Sequence, residues 1–328
     1  MTGKKLIGMV IVLVVLSGIV LMQNKRGKKH RTDMDKTAAT LLKGLDLNTV
    51  DGLAIAEGSN SVSLVKEDGK WVVKSRFNYP ANFNKLADAL RASSEVKMGS
   101  PVRSANVDVS EFGLDKAKAI VLKTGGKEMV KLEVGARRDA SSTAGWANQH
   151  FVRKAGADDI YLVDYDFRPF AEEADDWIDT ELINVPSSDI VSVKAGDVEL
   201  NSVSNTWTLA DLDEETEEFQ SSEANKLRMA LQYLNCTTVA DPARTDADLG
   251  FTNAVVYTAS TTNMSYTVTL GGETDNGRYI RLSGDVPEKF NGWTYVVSAY
   301  EANDFLITRD KLVKEKDKPS EEGESGEE

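Results

Sequence analysis

Short segments recur in the same order along this chain, and a tandem duplication restricts the fold more than any bulk property. Gly69-Lys70-Trp71-Val72-Val73 closes a hairpin whose turn is signalled by Asp68-Gly69, and Asn205-Thr206-Trp207-Thr208-Leu209 repeats its look 136 residues later. A helical stretch follows each. Phe83, Leu86, Ala87 and Leu90 keep i, i+3, i+4, i+7 spacing behind Asn82 as N-cap, and Leu227, Ala230, Leu231 and Leu234 do the same behind Ser222. Both stretches contain Asn-Lys-Leu, at Asn84–Leu86 and Asn225–Leu227. Each helix leads to a loop with a proline, Pro101 or Pro242. Glu111-Phe112-Gly113-Leu114 then answers Asp248-Leu249-Gly250-Phe251, and Lys131-Leu132-Glu133-Val134-Gly135 answers Thr267-Val268-Thr269-Leu270-Gly271. His150-Phe151-Val152-Arg153 matches Arg278-Tyr279-Ile280-Arg281, and Tyr161-Leu162-Val163 matches Thr294-Tyr295-Val296-Val297.

Alternation at Val130, Leu132 and Val134, and at Tyr266, Val268 and Leu270, is of the strand type. Each copy therefore reads as a hairpin, one helix and a run of antiparallel strands, with the helix packed on the sheet over Trp71 or Trp207. The fold class expected is α+β, with two tandem repeats, each a mostly antiparallel sheet with one packed helix, behind an N-terminal transmembrane helix. The copies join near Val185-Pro186-Ser187-Ser188, after an acidic stretch from Phe170 to Leu182 read as helical, with Phe170, Ala174 and Trp177 on one face. The expected order is an anchor over 1–24, a basic juxtamembrane linker over 25–45, a first repeat with helical connector over 46–184, a second repeat over 185–309, and a disordered charged tail over 310–328.

The anchor rests on Leu6 to Met22, an uncharged run interrupted only by Gly and Ser. At about 1.5 Å per residue it reaches roughly 26 Å, the short end of what spans a bilayer. A cleaved signal peptide would carry a shorter apolar core and a small-residue cleavage site, and no convincing site follows here. Lys4 and Lys5 precede the run, and Lys25, Arg26, Lys28, Lys29 and Arg31 follow it. Counted by the positive-inside rule these flanks favour a cytoplasmic C-terminal part, whereas a short basic N-terminus before a signal anchor favours the opposite.

Past residue 31, 32 basic residues face 52 acidic ones. A soluble part so acidic is repelled by polyphosphate, which argues against a nucleic-acid partner. Cys236 is the only cysteine, so an intrachain disulfide and a thiolate zinc site are excluded. No Walker loop, dinucleotide fingerprint, zinc-protease helix or G-x-S-x-G elbow occurs. His30 sits in the basic flank, and His150 at the start of a predicted strand reads as a surface or half-buried histidine. A dyad of Cys236 with His150 would join different repeats, and Cys236, ending the second helix, reads as a small buried hydrophobe. Ser63-Leu64-Val65-Lys66 matches S-x-x-K but falls on a predicted strand, where that chemistry needs a helical turn. Asp175, Asp176 and Asp179, Asp246 and Asp248, and Glu273 and Asp275 offer oxygen ligands without the frame of a calcium loop, and read as solvated faces. The expectation is therefore no catalytic residue, no cofactor and no metal.

A basic N-terminal anchor, G-K-W hairpins, a helix, an F-G-L segment, and Asp176-Trp177-Ile178-Asp179 leading to Val185-Pro186-Ser187-Ser188-Asp189-Ile190 stand here in order. This order resembles bacterial domain-of-unknown-function proteins encoded beside gliding-motility-type ABC transporter components, over roughly residues 1–310. The resemblance implies a bacterial inner-membrane protein whose repeats face outside the cytoplasm, with an ABC-type permease and ATPase as partners and the bilayer engaged through the N-terminal helix. A non-enzymatic accessory or scaffolding subunit is the first expectation. The second is a tethered solute- or glycan-binding module using the cleft between the repeats, with Trp146 and Trp293 as aromatics for a sugar.

Overall fold

The computed structural model describes residues 40–99, 101–102, 108–138, 149–204 and 206–316. The apolar run Leu6–Met22, its basic flanks with His30, Trp146, and the end of the charged tail lie outside the described residues. Among the described residues no helix is long and apolar enough to cross a membrane. The chain packs into two compact units: of the described residues one takes 40–65 and 84–173, the other 66–83 and 174–316.

Period-two burial builds the first sheet. Strands β1 (Gly52–Glu57), β2 (Asn60–Glu67), β3 (Lys70–Val73) and β4 (Tyr79–Pro80) precede helix α1 (Phe83–Ser94). Strands β5 (Pro101–Val102), β6 (Lys118–Thr124), β7 (Lys127–Arg137), β8 (Gln149–Lys154) and β9 (Ile160–Asp164) follow it. The sheet order is β4-β3-β2-β1-β6-β7-β8-β9-β5. Leu53 and Ile55 of β1, Val62 and Leu64 of β2, Ile120 and Leu122 of β6, and Leu132 and Val134 of β7 alternate into the core. Each such side chain contributes about 1.5–3 kcal/mol of burial. Helix α1 turns Leu86, Ala89, Leu90 and Ser93 inward, while Phe83, expected on that face, is 58% exposed.

The second unit continues with β10 (Glu181–Ile183), β11 (Ile190–Ala195), β12 (Val198–Val203), β13 (Thr206–Leu209), β14 (Glu217–Phe219) and helix α2 (Ser221–Met229). After them come β15 (Leu234–Asn235), β16 (Thr238–Val239), β17 (Val255–Thr261), β18 (Ser265–Thr274), β19 (Gly277–Gly284) and β20 (Thr294–Val297). Short helices α3 (Ala299–Asp304) and α4 (Arg309–Leu312) and strand β21 (Val313–Glu315) close it. Its main sheet runs β13-β12-β11-β17-β18-β19-β20-β16, and β10 pairs with β15 and β14 with β21 as two small ribbons.

The duplication carries through to topology. Replacing each strand of the second order by its counterpart returns β3-β2-β1-β6-β7-β8-β9-β5, which is the first sheet without β4. Gly113 (φ +65°) and Gly250 (φ +71°) are both left-handed, the conformation that favours glycine. In the first unit the loop at Gly113 presses on β7, where a Cβ at Gly135 would strike the Phe112 carbonyl oxygen. In the second, a Cβ at Gly271 would stand 2.6 Å from the Leu249 carbonyl oxygen. One loop-on-strand contact is thus built twice.

Four expectations are corrected. The stretch from Phe170 to Leu182 is no helical connector: it holds a single 3-10 turn, Ala174–Trp177, and then β10. Its backbone is engaged by the 66–83 arm, through the Ala81–Ile178 bridge, Asn82 N–H on the Trp177 carbonyl (2.8 Å) and Asp179 N–H on the Pro80 carbonyl (3.0 Å). Phe170, Ala174 and Trp177 are nevertheless all buried. The second helix ends at Met229, short of Leu234 and Cys236, because Leu234 pairs with Ile183 and the Cys236 N–H donates to the Thr180 carbonyl (2.9 Å). The chain from Asp310 to Lys316 is ordered, since Leu312 is buried and Val313 to Glu315 pair with β14. Trp71 is buried as expected, whereas Trp207 is half-buried beneath the Arg228 guanidinium, 4.5 Å from its ring.

Candidate functional site

Two recesses open in the second unit, and both are set by β19. Period two sends Tyr279 and Arg281 to one face of that strand and Ile280 and Leu282 to the core. The first recess, about 350 Å³, lies among Arg244, Arg281, Trp293, Thr294, Leu249 and Leu282. Arg281 donates through Nε to Thr294 Oγ1 (2.9 Å) and through Nη2 to Asp246 Oδ1 (2.6 Å), with its guanidinium 4.1 Å above the Phe251 ring. Arg244 donates to the Tyr279 hydroxyl (2.5 Å) and the Asp248 carbonyl (2.9 Å), 5.3 Å from the Tyr279 ring. Stacking and short bonds fix both planar groups in place. The bond from Arg281 lowers the Asp246 pKa, and the Thr245 hydroxyl lowers that of Asp248.

The second recess, about 510 Å³, is rich in oxygen: Asp175, Thr237, Thr238, Thr274, Asp275 and Asn276 line it beside Tyr279. Asp175 is held by Arg76 Nη2 (2.5 Å) and accepts from the Thr238 hydroxyl (2.7 Å). Asp175 and Asp275, which stand in separate acidic clusters along the chain, are brought together at this recess.

The remaining sequence candidates separate. Cys236 is buried, and burial pushes its thiol up to about 12, so it is no thiolate nucleophile at neutral pH. His150 belongs to the first unit, where Nδ1 lies 3.0 Å from the Tyr165 carbonyl oxygen and the ring meets Phe167 edge-on at 5.6 Å. Ser63 and Lys66 lie on strand β2 at odd spacing and so point to opposite faces. Asp179 pairs with Lys289 (2.6 Å) and Glu273 with Arg278 (2.6 Å). Among the described residues no group of three or more His, Cys, Asp or Glu is gathered to hold a metal ion. Trp293 is half-buried and meets Tyr79 edge-on at 5.0 Å.

Sequence reasoning missed Arg244 and Arg281. A signal was present for Arg281: its repeat counterpart Arg153 faces Glu133 across the sheet, and the position matching Glu133 is Thr269.

A family model described as a domain of unknown function, DUF4340, matches residues 71–254, more than half of the chain. The chain belongs to the DUF4340 family. The DUF4340 match begins in the first hairpin at Trp71 and ends just before β17, so it includes Arg244 but not Arg281. No curated protein and no solved structure matches this DUF4340 chain.

Proposed function

We propose that this DUF4340 protein is a membrane-anchored, non-enzymatic accessory or scaffolding subunit of an ABC-transporter-like envelope complex of the gliding type. The observation that carries the reading is the duplication of one sheet topology. A repeated sheet offers two related surfaces, as a scaffold for a multi-subunit partner requires. The apolar run Leu6–Met22 supports attachment to the bacterial inner membrane, and the family membership is consistent with the resemblance that suggested an ABC-type permease and ATPase as partners. On this reading the repeats face outside the cytoplasm and hydrolysis belongs to the partner.

Gentle detergent extraction of the tagged chain from native membranes, with crosslinking and mass spectrometry, tests it. Stoichiometric recovery of a permease and an ATPase is expected, and recovery of the chain alone overturns it. Orientation is tested with Cys236→Ser and a new cysteine in the last ten residues. Labelling in intact cells with their outer barrier opened is expected; labelling only after lysis places the repeats inside.

A tethered solute-binding module is the second reading, favoured by the recess beside Tyr279, which hydroxyls, an amide and carboxylates line. Saturable quenching of tryptophan fluorescence by envelope sugars or peptides is expected on this reading, and a flat response across both argues against it.

A further inference from the structure

We propose that the recess of Arg244, Arg281 and Trp293 binds a compact organic carboxylate, its acid group on the two guanidiniums and its apolar or ring-shaped body against Trp293, Leu249 and Leu282. The proposal rests on the solute-binding reading and names its ligand chemistry.

The comparison within the chain carries the argument. In the first unit Arg153 stands opposite Glu133 on one neighbouring strand and Ile160 on the other. Glu133 takes it in a two-pronged ion pair, 2.7 Å from Nε and 2.5 Å from Nη2, so that arginine is neutralised by its own sheet. In the second unit the same register sets Arg281 opposite Thr269 and Thr294. That in-sheet acid is gone; the guanidinium pairs instead through Nη2 with Asp246 (2.6 Å) while lining an open recess. A duplicated arginine that exchanges a two-pronged in-sheet carboxylate for a single bond to Asp246 at the mouth of a cavity keeps N–H groups for a carboxylate from outside.

The remaining geometry suits that ligand. Each arginine uses Nε or Nη donors on two partners and keeps N–H groups to spare from its total of about five. Among the described residues Arg244 has no carboxylate within ion-pair distance, because Asp248 offers it a backbone oxygen and spends its own carboxylate on Thr245. Leu249 and Leu282 supply an apolar floor and Trp293 an aromatic wall, and about 350 Å³ lies at the small end of ligand pockets, roughly 300–1,000 Å³. Asp241, also at the rim, accepts the Ala243 N–H at 2.8 Å. With Asp241, Asp246 and Asp248 close by, the site has no strong positive field. It recognises its ligand by directed bonds, which fits a single carboxylate better than a polyanion.

The test uses the full-length chain in lipid nanodiscs and fluorine NMR of three probes: 4-fluorobenzoate, 4-fluorophenylacetate and 6,6,6-trifluorohexanoate. Their amides and empty nanodiscs serve as references. Saturable line broadening by at least one acid, absent with its amide, is expected. Arg281→Gln and Arg244→Gln, each checked for an unchanged melting curve, should weaken it about tenfold or more, while Arg153→Gln should leave it unchanged. Arg244 is exposed, so its variant reports even where Arg281→Gln disturbs the sheet. No broadening by any acid, equal broadening by the amides, or insensitivity to Arg244→Gln overturns the proposal. Preferential binding of 4-fluorophenyl phosphate also overturns it and reassigns the recess to phosphate esters. If neutral sugars quench tryptophan fluorescence while the acids fail, the carboxylate assignment falls and the solute-binding reading stands.

Discussion

At the scale of single residues, the repeated glycines are tightly constrained. Left-handed Gly113 and Gly250 press on Ala136 and Gly272, and the preceding Gly135 and Gly271 admit the carbonyl oxygens of Phe112 and Leu249 where a Cβ would sit. Gly271→Ala should therefore cost at least about 2 kcal/mol, combining overpacking with backbone displacement; an unchanged midpoint in urea unfolding would contradict the contact. Gly69, whose added Cβ meets nothing within 4 Å, is the contrasting site, where only its φ of +80° opposes alanine. A buried hydroxyl gives a second prediction. Tyr257, fully buried, donates to the Leu227 carbonyl at 2.8 Å and meets Phe305 edge-on at 4.9 Å. Tyr257→Phe should cost about 1 kcal/mol, since it keeps the ring but leaves the Leu227 carbonyl only the long bond from the Ala230 N–H (3.4 Å); a melt that matches the parent would show water replacing the hydroxyl. The sequence displayed both features only in part. The recurrence of Gly135 and Gly271 is legible at fixed spacing, but which residue approaches them is not, because the approach joins segments about 20 residues apart through a loop.

At the scale of elements, the C-terminal ribbon shows how one arginine orders a charged segment. Arg309, the first residue of α4, reaches Asp211 (2.7 Å) and Glu217 (2.7 Å), and Glu217 lies on β14, which pairs with β21. The Arg309 side chain, with the Asp213 N–H, holds the Glu217 carboxyl down to about 2. A carboxyl whose pKa is lower folded than unfolded stabilises the fold above its unfolded value of about 4.5, and that contribution is lost as pH falls toward 2. Protection of the β21 amides, with exchange corrected for its intrinsic pH dependence, should therefore fall between pH 4.5 and 2 ahead of the strands of the main sheet, and Arg309→Gln should remove the difference. Protection lost in step in both places would deny the clamp a local role. From sequence this segment reads as the start of a disordered tail, since Lys and Glu dominate its composition; composition does not register that Leu312 is buried and that one arginine satisfies two acids. The second helix failed in the opposite sense. Leu231 and Leu234 are buried as helical spacing suggests, yet Leu234 is buried from a strand, because its backbone bonds to β10 and not to the turn before it.

At the scale of the molecule, the sequence repeat and the compact unit differ in two segments: residues 174–184, placed with the first repeat in sequence, pack in the second unit, and so does an arm from the first hairpin. Residues 66–83 belong to the first repeat by motif and to the second unit by packing. Tyr79, fully buried, meets Trp293 (5.0 Å) and Tyr295 (6.1 Å) edge-on, and its hydroxyl donates to the Asp179 carbonyl (3.1 Å). Arg76 pairs with Asp175 (2.5 Å), and Trp71 accepts the Ala81 N–H at 2.9 Å. A fragment of residues 185–316 cut at the repeat boundary should therefore lack a complete core, giving weak near-UV circular dichroism and a non-cooperative melt. A fragment of residues 174–316 should gain cooperativity when the 66–83 peptide is supplied in trans. A cooperative 185–316 fragment would show that the arm is dispensable.

The sequence by itself determined the duplicated strand–helix–strand order, the period-two burial of both sheets and the glycine positions, because these depend on spacing within one segment and its repeat. Only the tertiary structure decided where the 66–83 arm packs, that the acidic stretch after Phe170 is extended, and that Arg281 opens onto a recess while Arg153 is closed by Glu133. Those outcomes depend on which strand lies beside which, and a local pattern carries no account of its neighbours.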